Sequence, residues 1–93
     1  MKVIWNEVTL AESDRTVVVE GNHYFPSESV SWEHLRATRR RSLCPWKGIA
    51  RYYTAATADG ENRNAAWSYH HPYPWIRKIR GHVAFWNGVE IRR

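Results

Sequence analysis

Short runs of β-branched and aromatic residues alternate with polar ones along most of this chain, and the runs are separated by residues suited to tight turns. Thr16–Glu20 and His23–Phe25 flank Gly21-Asn22, a pair that tolerates positive φ, and so predict a hairpin. In that register Glu20 faces His23, Val19 faces Tyr24 and Val18 faces Phe25. Val17, Val19 and Tyr24 then share one apolar surface, while Val18 and Phe25 lie on the other beside Glu20 and His23. Asn87-Gly88 is a stronger turn signal and predicts a second hairpin between His82–Trp86 and Val89–Arg92. There Trp86 opposes Val89, Phe85 opposes Glu90 and Ala84 opposes Ile91. This pairing puts His82 on the more apolar face.

Between these hairpins, Ile49–Thr57 and Ala65–His70 read as strands, joined by a polar loop of about seven residues around Asp59-Gly60. Val3–Trp5 and Glu7–Leu10 read as short strands near the N-terminus. Helix is scarce. Ser31–Ala37 predicts a short turn with Ser31 as N-cap and Glu33 in the first turn. A second turn is predicted over Trp75–Arg80, after Pro72 and Pro74 and before Gly81. No repeat or linker interrupts the pattern. Roughly six short strands in one domain, residues 1–93, predict a mainly β fold: a curled antiparallel sheet or small open barrel, with one or two helical turns.

Composition sharpens this picture. Six Trp, five Tyr and two Phe among 93 residues predict a core built largely on rings, because each ring removes about 150–250 Å² from water. The single cysteine, Cys44, excludes an internal disulfide, a Cys-x-x-Cys redox pair and a four-cysteine zinc site. A small domain without disulfides points to a reducing compartment, and the cytoplasm is the expected location. The N-terminus has no apolar signal core, and no run approaches the roughly 20 apolar residues of a membrane span.

The net charge of +5 favours anionic partners such as nucleotides, nucleic acid or acidic surfaces. The excess gathers in Arg36, Arg39, Arg40, Arg41, Lys47 and Arg51, and again in Arg77, Lys78 and Arg80. A solvated charged surface is the alternative reading of the same residues.

Candidate chemistry centres on Cys44-Pro45-Trp46-Lys47-Gly48. A Cys44 thiolate near cations could act as a nucleophile, with His70, His71 or His82 as its base; equally, Cys44 packs as a small hydrophobe. Pro45 and Gly48 constrain the loop so that it presents Lys47 in a fixed direction, as an anchor for phosphate or carboxylate or as a plain turn lysine. The phosphate-binding Gly-x-x-x-x-Gly-Lys-Ser/Thr spacing is absent. Trp67 and Tyr69 alternate on one strand face, with Tyr73 and Trp75 following. They suit base stacking if exposed and core packing if not. The five histidines lack a zinc spacing, and the carboxylates form no evident pair, so no metal or cofactor is assigned.

These residues carry a family resemblance. Leu10-Ala11-x-Ser13, Val19-Glu20, Tyr24-Phe25-Pro26, Cys44-Pro45-x-Lys47-Gly48, Tyr53, Ala66-Trp67-x-Tyr69, Pro72 and Gly81-x-Val83-Ala84-Phe85 occur in the order and spacing of the domain of unknown function family 427. The chain resembles that family over nearly its whole length. The resemblance implies a curled β domain related in shape to small tent-like zinc-binding folds, here without the Cys-x-x-Cys ligands. The family's nucleotidyltransferase-like label implies nucleotide chemistry. Among the matching positions, Glu20, Tyr24, Cys44, Lys47, Trp67 and Tyr69 have side chains for polar or stacking contacts, whereas Pro26, Gly48 and Pro72 set the backbone.

The expectation is a small anionic or nucleotide-like ligand held where the Cys44–Lys47 loop meets Glu20, Tyr24, Trp67, Tyr69 and His82. Cys44 and Lys47 are the candidates for any catalytic role, nucleotidyl transfer included. The alternatives are a single-stranded nucleic-acid module using Arg36–Arg41 and Arg51, or an interaction domain without chemistry of its own.

Overall fold

The fold is organised by a long antiparallel meander through the middle of the chain. In the computed structural model, which describes residues 1–93, β5 (Leu35–Cys44), β6 (Gly48–Thr57), β7 (Gly60–Tyr69) and β8 (Val83–Phe85) form a four-stranded sheet in that order. β1 (Lys2–Trp5) lies between β2 (Val8–Glu12) and β9 (Glu90–Arg92) in a second sheet, and β3 (Val17–Val19) pairs with β4 (Asn22–Tyr24). Helix is confined to 3-10 turns at Ser27–Ser29, Trp32–His34 and Pro74–Ile79. The chain is mainly β, as its pattern predicts, but no sheet closes into a barrel.

Several predicted details change. The first hairpin turns on Glu20-Gly21 rather than Gly21-Asn22, with both turn residues at positive φ (54° and 78°). Val17 therefore opposes Tyr24 and Val19 opposes Asn22. This slip preserves the parity of the pairing, so Val17, Val19 and Tyr24 still share a face. Its consequence is that Glu20 sits at a turn apex instead of in a strand.

The predicted seven-residue loop around Asp59-Gly60 is a tight hairpin, with Thr57 paired to Gly60. Gly60–Asn64 reads as a loop because these residues are polar, yet they continue β7, paired with β6, as its more exposed half. Leu35–Cys44 is likewise a strand, not the tail of a helical turn. Ser31 occupies the N-cap of the short Trp32–His34 turn without making a side-chain cap bond. The arginines of β5 mask its strand character because they point to solvent.

The second predicted hairpin does not form. Asn87 and Gly88 do turn the chain (φ 62° and 94°), but β8 pairs with β7 and β9 pairs with β1, Val3 lying opposite Ile91. Two anchors separate the strands. The Trp86 backbone N–H donates to Ala65 O at 2.9 Å, and Asn62 Nδ2 donates to Asn87 O at 2.8 Å.

The long sheet backs a cluster on each face. Tyr53, Ala66 and Phe85 lie in one row and join Val3, Leu10, Phe25 and Val83. On the other face Ala50, Tyr52, Tyr69 and Ala84 pack with Val19, Tyr24, Ile76 and Ile79. The buried rings are tyrosines and phenylalanines. None of the six tryptophans is fully buried, so the ring-rich core of the composition is only half the picture, and the indoles are left for the surface and its cavities.

Candidate functional site

The Cys44–Gly48 loop is rigidly held. Cys44 pairs with Gly48 across the β5–β6 turn, and Lys47 N–H donates to Cys44 O at 3.2 Å. The 72–75 segment clamps it from outside: Tyr73 N–H donates to Lys47 O at 3.1 Å, and Trp75 Nε1 donates to Trp46 O at 2.8 Å. Gly48 has φ 118°, and a Cβ there would lie 3.3 Å from His71 O. Only glycine suits that backbone and that approach.

This loop turns Lys47 inward. The side chain is buried, at 7 % exposure, rather than displayed to solvent. Its Nζ forms an ion pair with Glu20, whose carboxylate is half-exposed at the apex of the β3–β4 turn. The ammonium also sits 5.6 Å from the Tyr69 ring centroid and 5.4 Å from that of Trp46, within range of a cation–π attraction. Burial works against the charged Lys47, but the Glu20 hydrogen bond and the surrounding phenols and thiol outweigh it and raise its pKa. The same hydrogen bond holds the Glu20 carboxyl below its usual range.

Beyond Lys47 lies a cavity of about 230 Å³ lined by Lys47, Tyr52, Trp67, Tyr69 and Trp86. Tyr52 and Trp67 are cross-strand partners on β6 and β7. Trp67 meets Trp86 edge-to-face at 6.0 Å and Tyr24 edge-to-face at 6.2 Å, and its Nε1 donates to the Tyr24 hydroxyl at 3.2 Å. Tyr52 hydrogen-bonds Ser42 at 2.9 Å.

Two irregularities in the sheet lie beside this cavity. The β5–β6 register shifts between Ala37 and Arg41, and the bulge aims Arg40 over the Tyr52 ring at 4.6 Å and toward Trp86 at 6.0 Å. The β6–β7 register shifts opposite it, where Asn64 adopts φ 53°. Asn64 O accepts from Trp86 Nε1 at 2.6 Å, and its Oδ1 accepts from Thr38 at 2.8 Å.

Of the residues picked from sequence, Glu20, Tyr24, Lys47, Trp67 and Tyr69 converge here. Cys44 is half-buried and packs against the Tyr24 and Tyr69 cluster. His82 does not line the cavity; its Nδ1 lies 3.0 Å from Arg80 O in the turn before β8. Its expected place depended on the second hairpin, which does not form. Sequence reasoning missed three neighbours of this site: Tyr52, which faces it through its regular pairing with Trp67, Trp86, which reaches it through an unpredicted pairing, and Arg40, which a bulge lays over the Tyr52 ring.

A model of the family described as domain of unknown function (DUF427) matches residues 1–92. The chain belongs to the DUF427 family. The resemblance read from the sequence is thus borne out. The family's short name refers to nucleotidyl transfer, while its description assigns no activity. No curated protein matches the chain significantly.

The acid–base groups in and beside the cavity of this DUF427 domain are all shifted away from neutrality. Burial pushes the Tyr69 phenol up to about 12 and raises that of Tyr24. With Lys47 raised and Glu20 lowered, none of these groups is poised near neutral pH, where a general acid or base works best. No helix of the domain is long and apolar enough to cross a membrane.

Proposed function

We propose that the domain binds a small planar molecule carrying an anionic group, with its ring in the aromatic cavity and its charge at Lys47. The observation that carries this reading is the buried Lys47 ammonium at the end of a cavity walled by Tyr52, Trp67, Tyr69 and Trp86. A lysine is almost never buried unless paired, and here the pairing carboxylate is half-exposed at a turn apex, where water and solutes reach it. A ligand carboxylate or phosphate can take its place.

Size narrows the ligand. Drug-sized pockets run from roughly 300 to 1,000 Å³, and this cavity of about 230 Å³ is smaller. It suits one ring, such as a pyrimidine or an aromatic acid, with any sugar or further phosphate lying outside. Arg40, resting on Tyr52 and Trp86, is placed to cap the ring or to meet a second negative charge.

A thermal-shift panel of nucleosides, nucleoside monophosphates, aromatic carboxylates and inorganic phosphate tests this reading. Ring-bearing anions should raise Tm, nucleosides and phosphate alone should do so weakly, and Trp86→Ala should abolish the shift. A flat response across the panel contradicts it.

A further inference from the structure

The opposite face of the four-stranded sheet carries a second concave surface. Arg41, Arg51 and Ser68 are successive cross-strand partners on β5, β6 and β7, so their side chains project to one side. Two cavities of about 440 Å³ meet there. Arg41, Arg51 and Tyr73 line the first, Trp32, Ser68 and Arg80 line the second, and His70 and His71 belong to both.

This surface is electrostatically incomplete. Like charges directly opposite on neighbouring strands repel, yet Arg41 and Arg51 face each other with no carboxylate in either cavity. Arg41 Nη1 is instead held by the carbonyls of Thr38 (3.0 Å) and Arg40 (2.9 Å). His70 lies among these cations. Burial first, and then Arg51, His71 and Arg41, hold its imidazole below the usual value, while Nε2 lies 3.0 Å from the Tyr53 hydroxyl. Ser68 Oγ, 1 % exposed, has no hydrogen-bond partner, an uncommon state for a buried hydroxyl.

Rings adjoin these cations: Tyr73 in the lining of the first cavity, with Trp75 stacked outside it, and Trp32 in the lining of the second. Tyr73 stacks on Trp75 with centroids 5.1 Å apart, and Trp75 is 67 % exposed. Toward the second cavity, Trp32 stands edge-on to Tyr53 at 5.4 Å and is itself exposed.

We propose that this groove binds single-stranded nucleic acid, with Arg41, Arg51 and Arg80 on phosphates and bases stacked on Trp75 and Trp32. Cations and exposed rings on one surface match a polymer that repeats phosphate and base. An acidic peptide supplies the charge without the rings, and free phosphate needs neither tryptophan. The site lies on the other face from Lys47 and does not depend on the function proposed for that cavity.

Fluorescence anisotropy with a labelled oligothymidine, titrated at several salt concentrations, tests the proposal. Affinity should fall with salt, and R41A/R51A should flatten the log–log slope by about 0.7 for each arginine contacting a phosphate. Trp75→Ala should weaken binding about fivefold or more with the slope unchanged. All three side chains are exposed; should the double variant lose its fold by circular dichroism, R41Q and R51Q singly give the same comparison. No binding at low salt, equal binding of a duplex, or sensitivity to the arginines alone without Trp75 overturns the proposal.

Discussion

Lys47 and Glu20 form an ion pair whose two halves live in different solvents: the ammonium is buried and the carboxylate is half in water. Removing the two partners should therefore have unequal effects. Glu20→Gln leaves a buried charge without its counter-ion, whereas Lys47→Met leaves a carboxylate that water already reaches. Glu20→Gln should lower Tm more than Lys47→Met. Added phosphate or carboxylate should restore stability to the Glu20 variant alone. Differential scanning fluorimetry with and without these anions checks both expectations.

The pair also sets a pH signature. Glu20 has a folded pKa below its usual 4.5, so the unfolded chain binds protons there more readily than the folded one. Its contribution is present above pH 4.5 and is lost as pH falls through the lowered value. Lys47 is raised above 10.5, so its contribution is present below that pH and is lost in stronger alkali. Glu61 and Glu90 are lowered too, by Arg36 and Arg92, and add to the acid loss of the wild type. The useful quantity is the Tm gap between wild type and Glu20→Gln, which should be constant near neutrality and shrink below pH 4.5.

Gly48 is the backbone pivot of the lysine loop. Gly48→Ala forces a side chain into positive φ and toward His71 O, and should cost about 1–3 kcal/mol. Urea denaturation measures the loss. If the loop's role is to aim Lys47, ligand shifts should be lost even at temperatures where the variant is folded.

Cys44 packs beside the site without lining its cavity. Cys44→Ala should leave the ligand-induced Tm shift intact, at a cost in stability near 1 kcal/mol for a small half-buried side chain. Loss of binding in a folded Cys44→Ala variant would give the thiol a direct role.

The sequence made the β character legible because β propensity and turn residues agree over most of the chain. Tyr24, Trp67 and Tyr69 were also legible, since alternation along a strand fixes which residues share a face. The arginine run at 36–41 was not. It reads as one basic patch, yet Arg36 pairs with Glu61, Arg40 turns onto Tyr52 and Arg41 opposes Arg51 on the far face. A bulge divides the run, and bulges leave little trace in a hydrophobicity pattern. Asn87-Gly88 misled for a different reason. The local turn is correct, but long-range bonds from Trp86 and Asn62 send its two arms into different sheets. The inward turn of Lys47 depended on a partner 27 residues away in sequence, which loop chemistry alone does not specify.

On the reading proposed above, the aromatic cavity and Lys47 form one binding site. The most direct measurement is a ¹H–¹⁵N NMR titration of the six indole N–H signals with the ring-bearing anion that raises Tm most. The Trp67 and Trp86 signals should move together and saturate, Trp5 should stay still, and Lys47→Met should abolish the response. Saturating shifts that leave Trp67 and Trp86 unmoved, or that persist unchanged in Lys47→Met, contradict the account.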